Sequence, residues 1–195
     1  MKLFSTLSSA LVLAASLLVA GCNNSSTSAP VKTTSALVSI EAITAGAKGF
    51  TVGSPMSART VYVFFDAQCP HCSALWYAAN PLKSQAKFVW IPVGILNGAS
   101  TSQGATILAA SDPVAAMETH EASMMSKGGG ISATADADAQ KDAIKKNTEL
   151  MTSFGFASIP TVVAKHAQTG ELVKQEGAMP TAALASFLGL QVPPQ

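Results

Sequence analysis

The feature that most constrains the fold is a hydrophobic segment that leads into two cysteines three positions apart. Residues 60–65 are a continuous run of β-branched and aromatic side chains, typical of a strand buried on both faces of a sheet. Three residues later comes Cys69-Pro70-His71-Cys72. Proline suits the first turn of a helix because the N–H that it lacks would have no partner there. We therefore predict a helix from Pro70 to about Leu82, with Cys69 at its N-cap.

This placement brings two thiols within reach of one disulfide, since Cα atoms one helical turn apart lie about 5.5 Å from each other. Only a thiolate attacks a disulfide. The free N–H groups and the positive end of the helix dipole favour a thiolate at Cys69, and His71 adds a donor or a positive charge. We predict an exposed, reactive Cys69, a less exposed resolving Cys72, and a potential that His71 shifts towards oxidation.

The cysteine pair has three alternative interpretations: a structural disulfide, a haem attachment site and a metal site. A purely structural disulfide rarely closes so small a loop, because it removes little entropy from the unfolded chain. A c-type haem site needs histidine after the second cysteine, where this chain has Ser73. A metal site needs further ligands, but His71, His120 and His166 share no ligand spacing. We expect no metal and no cofactor, with His120 and His166 as solvated surface residues.

The N-terminus has the pattern of an export signal, which we assign to residues 1–21. Its apolar run at 11–20 is too short to span a bilayer. It ends in Leu-Val-Ala-Gly-Cys, which resembles the bacterial lipobox, so we expect Cys22 to be acylated and to tether the protein to a membrane. Asn23 favours the outer membrane by analogy with enteric lipoproteins. The alternative is ordinary cleavage near Ala20, which would leave Cys22 free.

The polar residues 22–36 predict a flexible linker, and residues 37–195 have the length of one domain. A net charge of +1 without a basic cluster argues against nucleic acid as a partner. The pattern predicts an α/β sandwich around a mixed sheet. Strands are expected at 48–52 (an edge), 60–65, 87–95 (with Pro92 at an edge or bulge), 161–165 and 171–175, and helices at 70–82, 101–110, 112–125, 136–154 and 181–188, the last capped by Thr181.

A second proline carries information about the site. Ser158-Ile159-Pro160-Thr161 puts a proline at the start of a strand, where a cis bond would make a tight turn. An ordinary trans proline is the more common alternative. The cysteine pair upstream favours the cis form.

Together these motifs resemble the thioredoxin superfamily and, within it, the catalytic domain of the periplasmic disulfide-bond proteins DsbG and DsbC. The resemblance covers roughly residues 48–190 and rests on the segments 64–72, 91–95, 105–113, 159–161 and 177–180. It implies an α/β thioredoxin-like fold with a helical insertion, about 101–155, between the third strand and the cis-proline strand. It also implies that Cys69 attacks and Cys72 resolves, while Pro70 and His71 tune the pair. Substrate would bind at Ile159, Pro160, Thr161 and Gly177.

The function that this resemblance implies is thiol:disulfide exchange on cysteines of exported proteins, of the isomerase or reductase type. The redox partner would be a membrane reductase like DsbD or, alternatively, an oxidase like DsbB. A dithiol oxidase like DsbA and a non-enzymatic periplasmic metal carrier are the alternative functions.

Three departures from the family limit what carries over. Only about 25 residues separate Cys22 from the first strand, so we expect a monomer without the dimerisation domain of DsbC and DsbG. The dipeptide Pro70-His71 is that of DsbA, and Ile159 stands where DsbC and DsbG carry threonine. Val63 occupies the position of the buried acid of thioredoxin, so that proton relay is absent.

Overall fold

The computed structural model describes residues 37–194. The predicted signal peptide at 1–21, the linker at 22–36 and the acylated Cys22 lie outside these residues and stay predictions. Between residues 37 and 194, no helix combines the length and the apolar character that crossing a membrane requires.

The strands and helices of the described residues follow one another in the order that the sequence pattern predicts, with one additional helix at the start. The strands are β1 (Phe50–Gly53), β2 (Thr60–Asp66), β3 (Lys87–Val93), β4 (Thr161–Lys165) and β5 (Leu172–Glu176). The helices are α1 (Ile40–Gly46), α2 (Pro70–Ala79), α3 (Gly98–Ala109), α4 (Pro113–Met125), α5 (Asp138–Ser153) and α6 (Thr181–Leu188).

The five strands form one mixed sheet in the order β1-β3-β2-β4-β5. Strand β2 pairs in parallel with β3, and the remaining pairs are antiparallel. The prediction that β2 is central is therefore confirmed. Strand β3 lies between β1 and β2, and Pro92 pairs with Phe65 on β2 but lies beyond Trp90, the last β3 residue that pairs with β1. The expected local edge at Pro92 is confirmed for this reason.

Side chains of β2 alternate between two hydrophobic layers. Val61, Val63 and Phe65 pack with α2 and α6, whereas Tyr62 and Phe64 pack with α1 and α5. An aromatic cluster anchors α2 to the sheet, with ring centroids 4.9 Å apart for Trp76 and Trp90 and 5.6 Å apart for Phe65 and Trp90. Edge-to-face pairs of this kind add about 0.5–1.5 kcal/mol each beyond burial. The cluster fixes the helix that begins at the cysteine pair.

Helices α3, α4 and α5 form the predicted insertion between β3 and β4. Asp112 caps α4 as predicted, because its Oδ1 accepts hydrogen bonds from the N–H groups of Val114 and Ala115. Gly155 follows α5 with a φ of 70°, which confirms the expected glycine at the end of that helix.

Several details of the predicted elements are wrong. Strand β3 ends at Val93, two residues before its predicted end, and α3 begins at Gly98, three residues before its predicted start, because Asn97 caps it. Strand β1 begins two residues late, since the Lys48 N–H donates to Asn147 Oδ1 (2.8 Å) rather than to a strand. Helix α5 begins at Asp138 after a single 3₁₀ turn. Thr181 does not cap α6, because its hydroxyl donates to the Ala78 carbonyl (2.9 Å) and so ties α6 to α2. Helix α1 was not anticipated, although Ser39 caps it.

Candidate active site

The two cysteines occupy the helix positions that the sequence predicts. Cys69 is the N-cap of α2, Pro70 is its first residue, and Cys72 lies one turn inside. The Cys69 carbonyl accepts hydrogen bonds from the N–H groups of Cys72 (3.0 Å) and Ser73 (3.2 Å). Both cysteines carry free thiols, so the structure represents the reduced pair. Pro70 and His71 are exposed beside them.

Cys69 is more buried than predicted but as acidic as the helix terminus suggests. Only 5% of its surface is exposed. A hydrogen bond from the Cys72 thiol is the largest of the causes that lower the pKa of Cys69 from 9.0 to about 6, against the opposing effect of burial. The N–H groups of Cys72 and His71 and the charge of His71 lower this pKa further. The contributions of the helix terminus and of His71 were predicted, whereas that of the Cys72 thiol was not.

Cys72 has the opposite character. It is fully buried, and burial raises its pKa well above 9.0, with further increases from its contacts with Cys69. The pair therefore combines one thiol that ionises near neutral pH with one that keeps its proton.

The loop before β4 brings the second predicted group of residues to Cys69. The Ile159–Pro160 peptide bond is cis, as predicted. The Ile159 carbonyl oxygen lies 3.9 Å from Cys69 Sγ, and the Gly177 N–H donates to the Pro160 carbonyl (2.8 Å). Thr161 is buried, and its hydroxyl donates to the Ser158 carbonyl (2.6 Å). The backbone of this loop thus borders the reactive sulfur, and Gly177, which follows β5, is bonded to the loop.

The carboxylate of Glu176 at the end of β5 fixes residues 157–158 of the loop before β4 by hydrogen bonds. Its Oε2 accepts hydrogen bonds from the N–H groups of Ala157 (3.1 Å) and Ser158 (3.0 Å) and from the Ser158 hydroxyl (3.2 Å). Lys174 pairs with the other oxygen at 2.6 Å and is the largest of the causes that lower the pKa of Glu176. No local sequence pattern marks Glu176, because its role depends on a hairpin that returns to the loop.

Asp66 and the insertion fix the turn that carries Cys69. The buried carboxylate of Asp66 accepts hydrogen bonds from the N–H groups of Gln68 (2.9 Å), Ile95 (2.8 Å) and Leu96 (3.0 Å). The Gln68 side chain reaches Gln103 Oε1 (2.5 Å) on α3. These bonds hold the turn between β2 and α2 against the segment that follows β3.

The prediction that His120 is a surface residue is wrong. It is fully buried on α4, and its Nε2 hydrogen bonds to the Ala67 carbonyl (2.7 Å). Its Nδ1 accepts from the Ile131 N–H (3.2 Å), which requires a neutral ring with the proton on Nε2. Burial lowers the pKa of His120, consistent with this neutral form. His120 therefore links the insertion to the residue two positions before Cys69.

Replacing His120 with leucine should destabilise the protein by about 2–4 kcal/mol, because it leaves a buried carbonyl and a buried N–H without partners. Urea unfolding would measure this loss. His166→Leu is the matched control, since His166 is only half-buried and accepts two longer hydrogen bonds, from the N–H groups of Gln168 (3.4 Å) and Thr169 (3.3 Å). Equal losses in the two variants would contradict the role assigned to His120.

A buried acid also lies near the cysteines. Glu121 on α4 is 1% exposed, and burial raises its pKa to about 7. The nearby Ser73 hydroxyl lowers this pKa and the charge of Cys69 raises it. Val63, at the position of the buried acid of thioredoxin, is buried and apolar as expected. The buried acid of this chain therefore lies on α4 and not on β2. No motif in the sequence marked Glu121 as a buried acid.

The histidines do not form a metal site with the cysteines. Within residues 37–194, no group of three or more His, Cys, Asp or Glu side chains has the arrangement of a metal centre. His120 lies beneath the turn, whereas His166 packs against Gly189 at the far end of β4.

No family model matches the chain. The chain is similar to the thiol:disulfide interchange protein DsbG of Pseudomonas aeruginosa, with 34% identity over 134 residues. The match covers 67% of this chain and 51% of that protein, so the chain spans about half the length of the curated relative that it matches.

Solved structures match this chain over a larger share of its length, at lower sequence identity. Proteus mirabilis ScsC in a transitional conformation matches with a TM-score of 0.60 and 16% identity, covering 78% of this chain and 80% of ScsC. A periplasmic thioredoxin-like protein from Salmonella enterica serovar Typhimurium matches with a TM-score of 0.58 and 16% identity, covering 79% of this chain and 97% of that one. These similarities confirm the predicted thioredoxin-like fold.

Proposed function

We propose that this chain, a thioredoxin-fold homologue of the interchange protein DsbG, is a thiol:disulfide oxidoreductase that acts on exported proteins in the periplasm. One observation carries the proposal: Cys69, with an acidic thiol, occupies the N-cap position of α2 beside the Ile159 carbonyl, and the protonated thiol of Cys72 lies one turn further into the helix. Thiol–disulfide exchange requires one cysteine that attacks as a thiolate and a second, protonated cysteine that later resolves the mixed disulfide.

The reaction follows from the two thiols. The Cys69 thiolate attacks a substrate disulfide, forms a mixed disulfide and expels one substrate thiolate. Cys72 then loses its proton and attacks the Cys69 sulfur, which forms the Cys69–Cys72 disulfide and releases the second substrate thiolate. The substrate has gained two electrons, and the pair has lost them. Run in reverse, the same steps oxidise a substrate dithiol.

Substrate positioning falls to the loop before β4. The Ile159 carbonyl borders Cys69, so an extended substrate segment that hydrogen bonds to this backbone would bring its disulfide to the thiolate. Pro160, Thr161 and Gly177 hold the shape of this edge, while Pro70 and His71 form the exposed rim of the helix start.

The partners follow from the chemistry and the leader. Substrates are exported proteins with cysteines, and a membrane redox protein, reductase-like as DsbD or oxidase-like as DsbB, resets the pair. The lipobox supports acylation at Cys22 and attachment to a membrane, with Asn23 favouring the outer membrane. We expect the protein to act as a monomer.

A dithiol oxidase like DsbA is the second candidate, and a specific observation favours it. The low pKa of Cys69 stabilises the reduced pair, which makes the disulfide a stronger oxidant. Acid quenching of cells followed by alkylation separates the two functions. An oxidase is recovered mainly as the disulfide, and a reductase or isomerase mainly as the dithiol.

The general proposal is tested by reduction of insulin with dithiothreitol as the electron source. The purified protein should accelerate the reaction at substoichiometric concentration. A protein that leaves insulin reduction at the background rate and instead binds copper or zinc in a one-to-one ratio through the reduced pair would be a metal carrier, which would overturn the proposal.

Glu176→Gln should raise the KM for a disulfide-containing peptide several-fold and leave kcat nearly unchanged. The amide weakens the charge-assisted bonds that hold residues 157–158, and so loosens the edge that binds substrate without altering the thiols. Glu171→Gln on the same hairpin is the matched control, because the hydrogen bond of the Glu171 carboxylate within residues 37–194 comes from the exposed Thr169 hydroxyl (3.3 Å). A fall in kcat alone, or the same KM change in both variants, would contradict this role.

A further inference from the structure

The buried Glu121 carboxyl is a titratable group that the exchange mechanism leaves without a role. It faces α2 beside Ser73, the residue that follows Cys72, and both side chains are nearly inaccessible, at 1% and 2% exposure. Among the described residues, neither Glu121 Oε2 nor Ser73 Oγ makes a hydrogen bond of good geometry, although the Ser73 hydroxyl lies close enough to Glu121 to lower its pKa. Leaving such atoms unsatisfied costs about 1–3 kcal/mol each, so two of them side by side need an explanation.

The resolution step, in which Cys72 attacks the mixed disulfide, requires a group that accepts the proton of Cys72. Cys72 must become a thiolate to attack the mixed disulfide, but it is fully buried and holds its proton well above pH 9. In the reduced pair, its thiol donates to the Cys69 thiolate. That acceptor is lost when Cys69 is bonded to substrate. A base within the protein would allow the step to proceed at neutral pH.

The other titratable groups around the pair are already engaged. Both carboxylate oxygens of Asp66 accept backbone N–H groups, and both ring nitrogens of His120 are hydrogen bonded. His71 is exposed on the outer side of α2. Glu121 is therefore the neighbouring acid or base with an unused buried oxygen.

We propose that Glu121 accepts the proton of the Cys72 thiol during resolution, with the Ser73 hydroxyl turning to stabilise the carboxylate. The inference rests on the proposed function. The S–H bond of Cys72 breaks, and its proton moves to the carboxylate. The new thiolate forms the bond to the Cys69 sulfur, and the electron pair of the broken mixed disulfide leaves with the substrate thiolate. The proton on Glu121 then passes to that thiolate or to solvent.

The charge of Cys69 would determine at which stage of the reaction Glu121 is ionised and can accept the proton of Cys72. In the reduced pair, the negative charge of Cys69 raises the pKa of Glu121, which favours the protonated carboxyl. In the mixed disulfide, that charge has gone, so the carboxyl ionises more readily at the moment when a base is needed. Reduction of the pair restores the charge and returns a proton to Glu121.

The test is a rapid-quench measurement of the reaction between the reduced protein and oxidised glutathione. Glu121→Gln should slow the attack of Cys72 on the mixed disulfide about 100-fold at pH 7, the size of a general-base contribution, and leave alkylation of Cys69 within about two-fold. The wild-type rate should rise with pH and level off once the carboxyl has ionised. The variant rate should keep rising without that plateau.

Glu118→Gln is the matched control, because Glu118 lies three residues earlier on α4 and is exposed. It should keep the wild-type rate and plateau. Resolution by Glu121→Gln at the wild-type rate with the same pH profile would overturn the inference alone. Failure of the wild-type protein to exchange with glutathione or insulin would instead overturn the proposed function.

A second measurement needs no variant at position 121 and covers the case in which Glu121→Gln does not fold. The infrared difference spectrum between the reduced and disulfide forms near pH 7 should show a protonated carboxyl band in the reduced wild-type protein, and Glu118→Gln should retain it. The absence of any redox-dependent carboxyl band would overturn the inference.

Discussion

Cys69→Ser should lower insulin reduction to the uncatalysed rate, which is the largest loss expected from any single substitution in this chain. Serine keeps the N-cap position and nearly the same volume, but its hydroxyl does not ionise at neutral pH and cannot form a disulfide. The same substitution at Cys72 should also abolish turnover, for a different reason. Cys72→Ser keeps the Cys69 nucleophile but cannot release the mixed disulfide.

The two variants therefore differ in what accumulates. Cys72→Ser should become loaded with substrate or glutathione at one equivalent per chain, visible as an added mass that dithiothreitol removes. Cys69→Ser should show no such adduct. Ser84→Ala, which keeps both thiols and alters an exposed residue away from the pair, is the control and should turn over. Adduct formation by Cys69→Ser, or multiple turnovers by it, would contradict the assignment of Cys69 as the nucleophile.

The second large effect is the pH dependence of Cys69. With a pKa of about 6 in place of 9.0, the thiol should react with iodoacetamide about ten-fold faster at pH 7 than at pH 5 and gain little above pH 7. An ordinary cysteine would continue to gain reactivity up to pH 9. Cys72→Ser is not a neutral control here, because the Cys72 thiol is the largest cause of the low pKa.

The same shift makes the stability of the reduced protein depend on pH. A group whose pKa falls on folding stabilises the fold above that pKa, so the contribution of Cys69 is lost as the pH falls through about 6. At pH 7 it amounts to the order of 1 kcal/mol after allowance for solvent screening. Cys72 is protonated in both states below about pH 9 and contributes nothing there.

Glu121 acts in the opposite direction, since its raised pKa makes its contribution disappear as the pH rises through about 7. Urea unfolding of the reduced wild-type protein and of Cys69→Ser, each at pH 5 and pH 7, separates the two groups. The wild-type protein should gain stability relative to Cys69→Ser between these values. A constant difference between the two proteins would contradict a low pKa at Cys69.

The predictable part of the site is the part that local sequence determines. Pro70 fixes the start of α2, so the N-cap position of Cys69 and the interior position of Cys72 follow from four consecutive residues. The cis bond at Pro160 was favoured over the trans form because of the cysteine pair upstream, and the hairpin of β4 and β5 was visible from the turn signal between them. The central position of β2 followed from its unbroken apolar run.

The rest depends on contacts between distant segments. His120 was predicted to be a surface residue and Glu121 was not singled out, because their burial depends on the packing of α4 within the fold. Their spacing of three and four residues from the buried Met117 is the one sequence signal that could have indicated an inward face. Glu176 reaches its partners across the β4–β5 hairpin, and no pattern within β5 indicates that.

The most direct test of the central claim, that Cys69 and Cys72 form a dithiol that exchanges electrons through an unusually stable thiolate, is equilibration with glutathione redox buffers. The proposed function predicts a single two-electron transition between the dithiol and the Cys69–Cys72 disulfide, at a potential clearly less negative than the value of about −270 mV for thioredoxin. A potential at or below that of thioredoxin, or no reversible transition, would contradict it.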